Sequence, residues 1–379
     1  MGFSFLHTAD WQIGKPFRNF PDRVAGRLES ARLDAIDRLA EAARRRGIAN
    51  VLVAGDIWDS ERLTAKEERQ PLARMAKHTD TTWVLIPGNH DAARAGSVWT
   101  RLAARGLPDN VVPLVEPVPH SLARDVVILP APLTSRAPAG DPTAWMDGVA
   151  TAAGAVRLGL AHGSVRGFGS GDEGESEALI DAARAKRAGL DYLALGDWHG
   201  TTRINARTWY SGTPEPDRFR DNEAGEALAV TIAGAGAEPV VERVATGHFA
   251  WVTVRAAITA GDDLERLGRD IRGRGVSLDR VILRLTLTGA LPAKALYRIE
   301  TWSEALRSEV AHLDVDAAGV GIAGDAADPD LFGTQGELRM AADRLAAMAA
   351  GGDAAAAADA AVALRRLVAI LAEVREGGR

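Results

Sequence analysis

Phe3-Ser4-Phe5-Leu6-His7-Thr8-Ala9-Asp10-Trp11-Gln12 decides how this chain is read. An apolar run of strand length ends on a carboxylate and a side-chain amide. The same design recurs four times. Val51–Ala54 leads into Gly55-Asp56, Trp83–Ile86 into Gly88-Asn89-His90-Asp91, Val156–Ala161 into His162-Gly163, and Tyr192–Leu195 into Gly196-Asp197-Trp198-His199. Between the early runs, Asp22–Arg46 and Thr64–Lys77 space their apolar residues three or four apart, the period of a helix packed on one face. Strand and helix therefore alternate, which predicts a layered α/β domain with polar clusters gathered at its strand ends. Val126–Leu129 adds a strand, and Thr208–Ser211, Ala227–Ile232 and Val240–Val244 read as a second sheet finishing a sandwich.

One such cluster would be a weak signal. Five in one chain, with Asn89-His90-Asp91 the most specific, point to a two-metal phosphoesterase. Two like-charged ions about 3.5–4 Å apart need a bridging carboxylate, and Asp56 is the expected bridge. Asp10, Gln12 and His199 are expected on one ion, and Asn89, His162 and Asp197 on the other. Asn89 and Gln12 ligate only through amide oxygens, which suits hard cations. His90 is then left to touch the phosphate and protonate the leaving oxygen. Asp91 either orients that imidazole or caps the next helix.

Composition narrows the chemistry. The chain has 379 residues, enough for two domains, with 46% hydrophobic and 25% charged residues, as in ordinary globular proteins. It has no apolar run of about 18 residues that would span a membrane. The first strand starts at Phe3, leaving no space for a signal peptide, so a cytoplasmic location is expected. With no cysteine there is no disulfide and no thiolate site; oxygen and imidazole donors favour manganese or magnesium over structural zinc. A net charge of -6 offers nucleic acid no bulk attraction. A DNA substrate needs local cations such as Lys15 with Arg18, or Arg44-Arg45-Arg46, although that triplet reads better as a solvated helix end. Trp11, Trp58 and Trp198 each lie within two residues of an expected ligand. They read as packing that stiffens the loops; the alternative is a rim for stacking unpaired bases, worth about 1–3 kcal/mol per base.

The polar clusters occupy residues 1–247, the expected catalytic domain, with a boundary near Thr246-Gly247-His248. Residues 248–332 read as a small α+β capping domain for DNA recognition. Its strands at Trp251–Val254, Val281–Leu287 and Ala318–Ile322, its helices at Asp262–Arg272 and Leu296–His312, and one further short strand would make a β-α-β-β-α-β unit. Residues 333–379 read as two helices broken at Gly351-Gly352. Leu364, Leu367, Ile370 and Leu371 fall there at helical spacing, as packing for their own domain or as a docking face for a partner.

Taken with Leu6-His7-Thr8-Ala9-Asp10 and Ser211-Gly212-Thr213-Pro214, these motifs resemble the calcineurin-like metallophosphoesterases, and within them the SbcD-like DNA-repair exonucleases. The resemblance implies a four-layered α/β/β/α sandwich with a capping domain and C-terminal helices. It also implies two manganese ions, replaceable by magnesium, and hydrolysis of DNA phosphodiesters at ends or in single strands. The implied partners are DNA and an SMC-like coiled-coil ATPase gripped by the helices after the cap; apart from the resemblance, a homodimer is one option, and the sequence does not fix the oligomeric state. Two positions depart from the family pattern, which has histidine where Gln12 and Asp197 stand. Both replacements still coordinate and make the site richer in oxygen, so activity and a harder metal are expected. Alternative readings are a phosphodiesterase or phosphatase for small molecules, and a non-catalytic subunit anchoring an ATPase on DNA.

Overall fold

Val51-Leu52-Val53 and Trp83-Val84-Leu85 show no polar alternation, as parallel strands covered on both faces require. In the computed structural model, which describes residues 2–168, 177–220, 222–323, 332–333, 335–351 and 353–377, they are interior strands of the first sheet. This sheet starts with β1 (Phe3–Thr8), β2 (Asn50–Val53), β3 (Thr82–Leu85) and β4 (Val111–Pro113), all parallel. The helices α1 (Asp22–Arg45), α2 (Ala65–Met75) and α3 (Val98–Arg105) make the crossovers. Thr64 starts α2 with a reciprocal cap: its Oγ1 accepts the Glu67 N–H, and the Glu67 carboxylate accepts the Thr64 N–H.

The chain then lays down β5 (His120–Ala123), β6 (Val126–Ala131) and β7 (Val156–His162), and a short ribbon of β8 (Ser164–Val165) with β9 (Leu179–Ile180). After α4 (Arg184–Arg187) come β10 (Tyr192–Gly196), β11 (Thr202–Arg203) and β12 (Thr208–Tyr210), then β13 (Glu226–Ile232) and β14 (Val240–Ala245). Two six-stranded sheets result, in the orders β14-β13-β1-β2-β3-β4 and β11-β12-β10-β7-β6-β5. Of the three stretches expected to finish a second sheet together, only β12 joins it. β13 pairs antiparallel with β1 and β14 with β13, which covers the open edge β1 would otherwise present.

Three apolar layers hold these elements. Phe5, Leu52, Val84 and Val230 meet Ile128, Leu158 and Tyr192 between the sheets. Leu6, Val51 and Leu85 pack under Ile36, Leu39, Leu72 and Leu102 of the helices, while Leu129, Leu193 and Leu195 pack with Met146 and Ala185 on the far side. The order is therefore α/β/β/α.

Met1–Phe249 forms one compact unit and Ala250–Arg379 another. The second holds β15 (Ala250–Ile258), α5 (Asp263–Arg272), β16 (Val281–Pro292), α6 (Ala293–Glu309) and β17 (His312–Ala323), followed by α7 (Glu337–Ala349) and α8 (Ala354–Gly377). Its three strands are all parallel in the order β15-β16-β17. The β-α-β-β-α-β expectation is thereby corrected to β-α-β-α-β, because both connections carry a helix, as parallel neighbours require. Ala342, Leu364 and Val368 share the core of this unit with Leu283, Leu285 and Leu306, and Leu367 and Leu371 pack against it. The expected docking stripe is thus mostly internal packing, and Ile370 alone of its four members is exposed, at 50%. Gly351 follows α7 as a bend; Gly352 lies outside the described residues. Among the described residues no helix is long and apolar enough to cross a membrane.

Candidate metal centre

Parallel pairing aims the C-terminal ends of β1, β2 and β3 in one direction, and likewise those of β7 and β10. Ligand sites in open α/β sheets gather at such ends. Backbone bonds tie the loops together: Asp10 N–H to Gly55 O at 3.1 Å, Gln12 N–H to Asp56 O at 2.9 Å, and Gly163 N–H to Gly196 O at 3.1 Å. Asp10, Gln12, Asp56 and Asp197 all sit at positive φ, four of the five non-glycine residues that do so among those described. Such strain persists only where the surroundings impose it, and here it marks the cluster. Gly88 is required for close approach, since a Cβ there would run into Asp56 Oδ1.

Asp10, Asp56 and His162 present ligand atoms that all lie within 4.8 Å of one another, and all three residues are buried. His162 Nδ1 donates to Ala54 O at 2.8 Å, which fixes the tautomer and turns Nε2 inward. That nitrogen meets Asn89 Oδ1 at 2.8 Å, Asp56 Oδ2 at 3.6 Å and Asp197 Oδ1 at 3.9 Å. Asp197 Oδ1 is buried without a hydrogen-bond donor, while its Oδ2 takes the Ser164 hydroxyl at 2.5 Å. Asp10 accepts the Asp197 N–H at 3.1 Å. Three side-chain oxygens and one imidazole nitrogen thus converge on a buried spot, where Asp197 Oδ1 has no hydrogen-bond donor. Buried acceptors need a positive partner, so the residues fit a divalent cation.

The electrostatics agree. Burial pushes the Asp10 carboxyl up to about 7 and also raises Asp197. For His162 burial works downward, but Asp56, Asp10 and Asp197 outweigh it and lift the imidazole to about 9. The cluster on its own draws protons, and a metal ion competes for the same lone pairs.

The other corner is built differently. Gln12 Nε2 lies 3.2 Å from His199 Nε2, and Gln12 Oε1 accepts from Lys15 Nζ at 3.0 Å. His199 Nδ1 faces Asp217 Oδ1 at 3.5 Å and Arg218 Nη2 at 3.1 Å. Burial opposes ionisation of Asp217, yet His199, Arg32 and Lys15 hold its carboxyl well below the usual range.

Several expectations change. Asp91 neither orients His90 nor caps a helix. Its oxygens accept the backbone N–H groups of Gly88 at 2.7 Å and of Ile57 at 2.9 Å, clamping the Asp56 loop to the Asn89 loop, and α3 starts only at Val98. The His90 ring is held instead by Asp59 O, 2.7 Å from Nδ1. Trp11 and Trp58 are core residues, set edge-on to Trp83 and Trp99, so they form no base-stacking rim. Trp198 is half-buried against Phe168. Lys15 is tied to Asp217 and Gln12, while Arg18 is exposed. Arg44 and Arg45 pair with Glu41 on the exposed end of α1.

Sequence reasoning missed Ser164, Asp217 and Tyr210. Tyr210 donates to Gly163 O and accepts the Val165 N–H, both at 2.8 Å, bracing the His162 loop. Asp217 follows Ser211-Gly212-Thr213-Pro214 closely, and a carboxylate beside that motif was the available signal.

Residues 3–222 match the model of a family described as calcineurin-like phosphoesterase. The DNA double-strand break repair protein Mre11 of Methanosarcina acetivorans is 24% identical over 263 residues, covering 66% of this chain and 40% of that protein. The uncharacterized metallophosphoesterase YhaO of Bacillus subtilis is 24% identical over 216 residues, covering 54% of this chain and 50% of that protein. The chain thus spans half or less of the length of these relatives. A solved structure of TT1561 from Thermus thermophilus superposes with a TM-score of 0.40 at 10% identity, covering 65% of this chain and 100% of that one.

Proposed function

The chain belongs to the calcineurin-like phosphoesterase family, hydrolases acting on phosphoester bonds, and from that premise we propose that it is a manganese-dependent DNA nuclease working on ends or single strands. The carrying observation is the convergence of His162 Nε2, Asn89 Oδ1, Asp56 Oδ2 and Asp197 Oδ1 on one buried spot, where Asp197 Oδ1 has no hydrogen-bond donor. Asp56, Asn89, His162 and Asp197 would hold one ion; Asp10, Gln12 and His199 would hold the other, with Asp56 shared. Bound there, divalent ions supply Lewis-acid polarisation of the phosphoester.

His90 is 21% exposed where the surrounding ligands are buried. With Nδ1 fixed by Asp59 O, its Nε2 is the atom that passes a proton to the leaving oxygen. Asp91 acts by holding two loops in register, a positioning role. DNA as substrate is supported by the similarity to a relative named for double-strand break repair and by exposed Arg18. For an SMC-like ATPase partner, we propose the outward apolar residues of α8, Val362, Ile370 and Val374, as the docking face.

The test is manganese-loaded protein on labelled linear, hairpin and single-stranded DNA beside bis(p-nitrophenyl) phosphate. Cleavage of DNA is the expected result. Cleavage of the small ester alone would favour a small-molecule phosphodiesterase, the reading to which the burial of Trp11 and Trp58 lends weight.

A further inference from the structure

Lys15 closes one corner of the cluster. Its ammonium donates to Gln12 Oε1 at 3.0 Å and pairs with buried Asp217, which also lies 3.6 Å from Arg32. An ammonium has three donors and no acceptor. Gln12 must therefore turn its oxygen to Lys15 and its NH2 toward His199 Nε2, 3.2 Å away. In one tautomer Nε2 accepts an amide hydrogen; in the other it carries its own. Neither leaves a free lone pair. At the His162 corner, by contrast, no ammonium closes the site, and the buried Asp197 Oδ1, 3.9 Å from His162 Nε2, has no hydrogen-bond donor.

We propose that the two ion positions are unequal. The corner of Asp56, Asn89, His162 and Asp197 takes a divalent cation tightly, whereas Lys15 holds the Gln12–His199 corner shut. This rests on the metal-dependent phosphoesterase reading and adds an order of filling to it. To ligate, Gln12 must break its bond to Lys15 and rotate its amide. Losing one hydrogen bond to a charged group lowers affinity roughly 10- to 100-fold. Gln12 in place of histidine is thus half of a device whose other half is Lys15.

The experiment titrates metal-free, full-length protein with manganese. Bound ions are counted by equilibrium dialysis, and the spin state is followed by electron paramagnetic resonance. The expected course is one ion at stoichiometric manganese, showing the hyperfine sextet of an isolated ion, then a spin-coupled pair only at roughly 10- to 100-fold higher concentration. Lys15→Met keeps the stem and removes the charge, so the coupled pair should form near stoichiometry. Gln12→His removes the amide and should close the same gap, which keeps the test decisive if Lys15→Met does not fold. Two ions of equal affinity in the unaltered chain would overturn the inference and leave the phosphoesterase reading intact. So would an unchanged gap in both variants. No bound ion at any concentration would overturn both.

Discussion

Both units of this chain set parallel strands and helices around aliphatic cores, yet they bury different things. Met1–Phe249 places Asp10, Gln12, Asp56, Asn89, His162 and Asp197 out of water at its strand ends. In Ala250–Arg379, Ser303 is the sole buried polar residue among those described. Charge out of water is costly unless matched. The first unit therefore carries groups that oppose its own stability, held by Asp91, Tyr210 and the strained turns at Asp10, Gln12 and Asp56. The second is built for packing. The difference teaches where each kind of substitution should act: on metal and turnover in the first unit, on stability in the second.

The largest effect tests the first half of that contrast. Asp56→Asn should abolish activity and strip bound metal, because one charge serves the whole cluster. The amide can still accept the His90 N–H that Asp56 Oδ1 takes at 2.9 Å. Thermal unfolding of the metal-free variant should accordingly match or exceed that of the parent. Metal content at the parent level would break the comparison. His90→Ala comes next: turnover should fall roughly 10²- to 10⁴-fold with bound metal unchanged by elemental analysis. Loss of metal would move His90 among the ligands.

Leu285→Ala tests the other half. Leu285 is fully buried in the second core, and truncation there should cost about 2–5 kcal/mol in denaturant unfolding of that unit. Manganese bound per chain should not change; if it falls, the units do not divide the labour as described.

The contrast itself was partly legible. Each buried group at a strand end follows a short aliphatic run, and a run with its terminus is a local pattern. Asp10, Asp56, Asn89, His162 and Asp197 are therefore visible as a set, and the structure does bring them together. What depends on partners was not visible. Nothing local says that β13 closes the edge of β1, or that Lys15 meets a carboxylate 202 residues away. Trp11 and Trp58 do pack, as read, but their partners were not visible either: adjacency to a ligand fixes where the backbone is, while the opposite face of the loop decides that the ring packs on Trp83 or Trp99. The second unit lacks a polar landmark, so its sequence fits a fourth strand as well as the three parallel strands it forms.

A smaller effect separates buried polar groups that serve the cluster from one that serves the fold. His7 bridges the sheets, with Nδ1 3.1 Å from Tyr192 OH and Nε2 3.2 Å from Leu195 O. Burial drives its imidazole down to about 3, against the ordinary 6.5. Because the folded value is depressed, the unfolded chain takes the proton first. The stability this group contributes is complete above about 6.5 and is lost as pH falls toward 3, at up to about 1.4 kcal/mol per pH unit. His7→Gln should flatten that part of the stability profile between pH 6.5 and 4 in denaturant titrations. An identical slope in the variant would mean that other groups, such as Asp217 with its carboxyl held well below the usual range, set the acid limit.

The smallest effect is expected on α8. Leu364 and Val368 lie one helical turn apart and point into the core, at 3% and 0% exposure, whereas Ile370 stands 50% exposed. Two residues on from Val368 is about 200° around the helix, which places Ile370 on the other side. Ile370→Ser should change unfolding free energy by no more than about 0.5 kcal/mol, whereas Leu364→Ser in the same helix should cost several times more. Both should leave manganese content untouched, since they belong to the packing unit. Equal costs at the two positions would show α8 turned the other way. The outward set of Val362, Ile370 and Val374 would then be core, and the docking face proposed for an ATPase partner would have to be sought elsewhere.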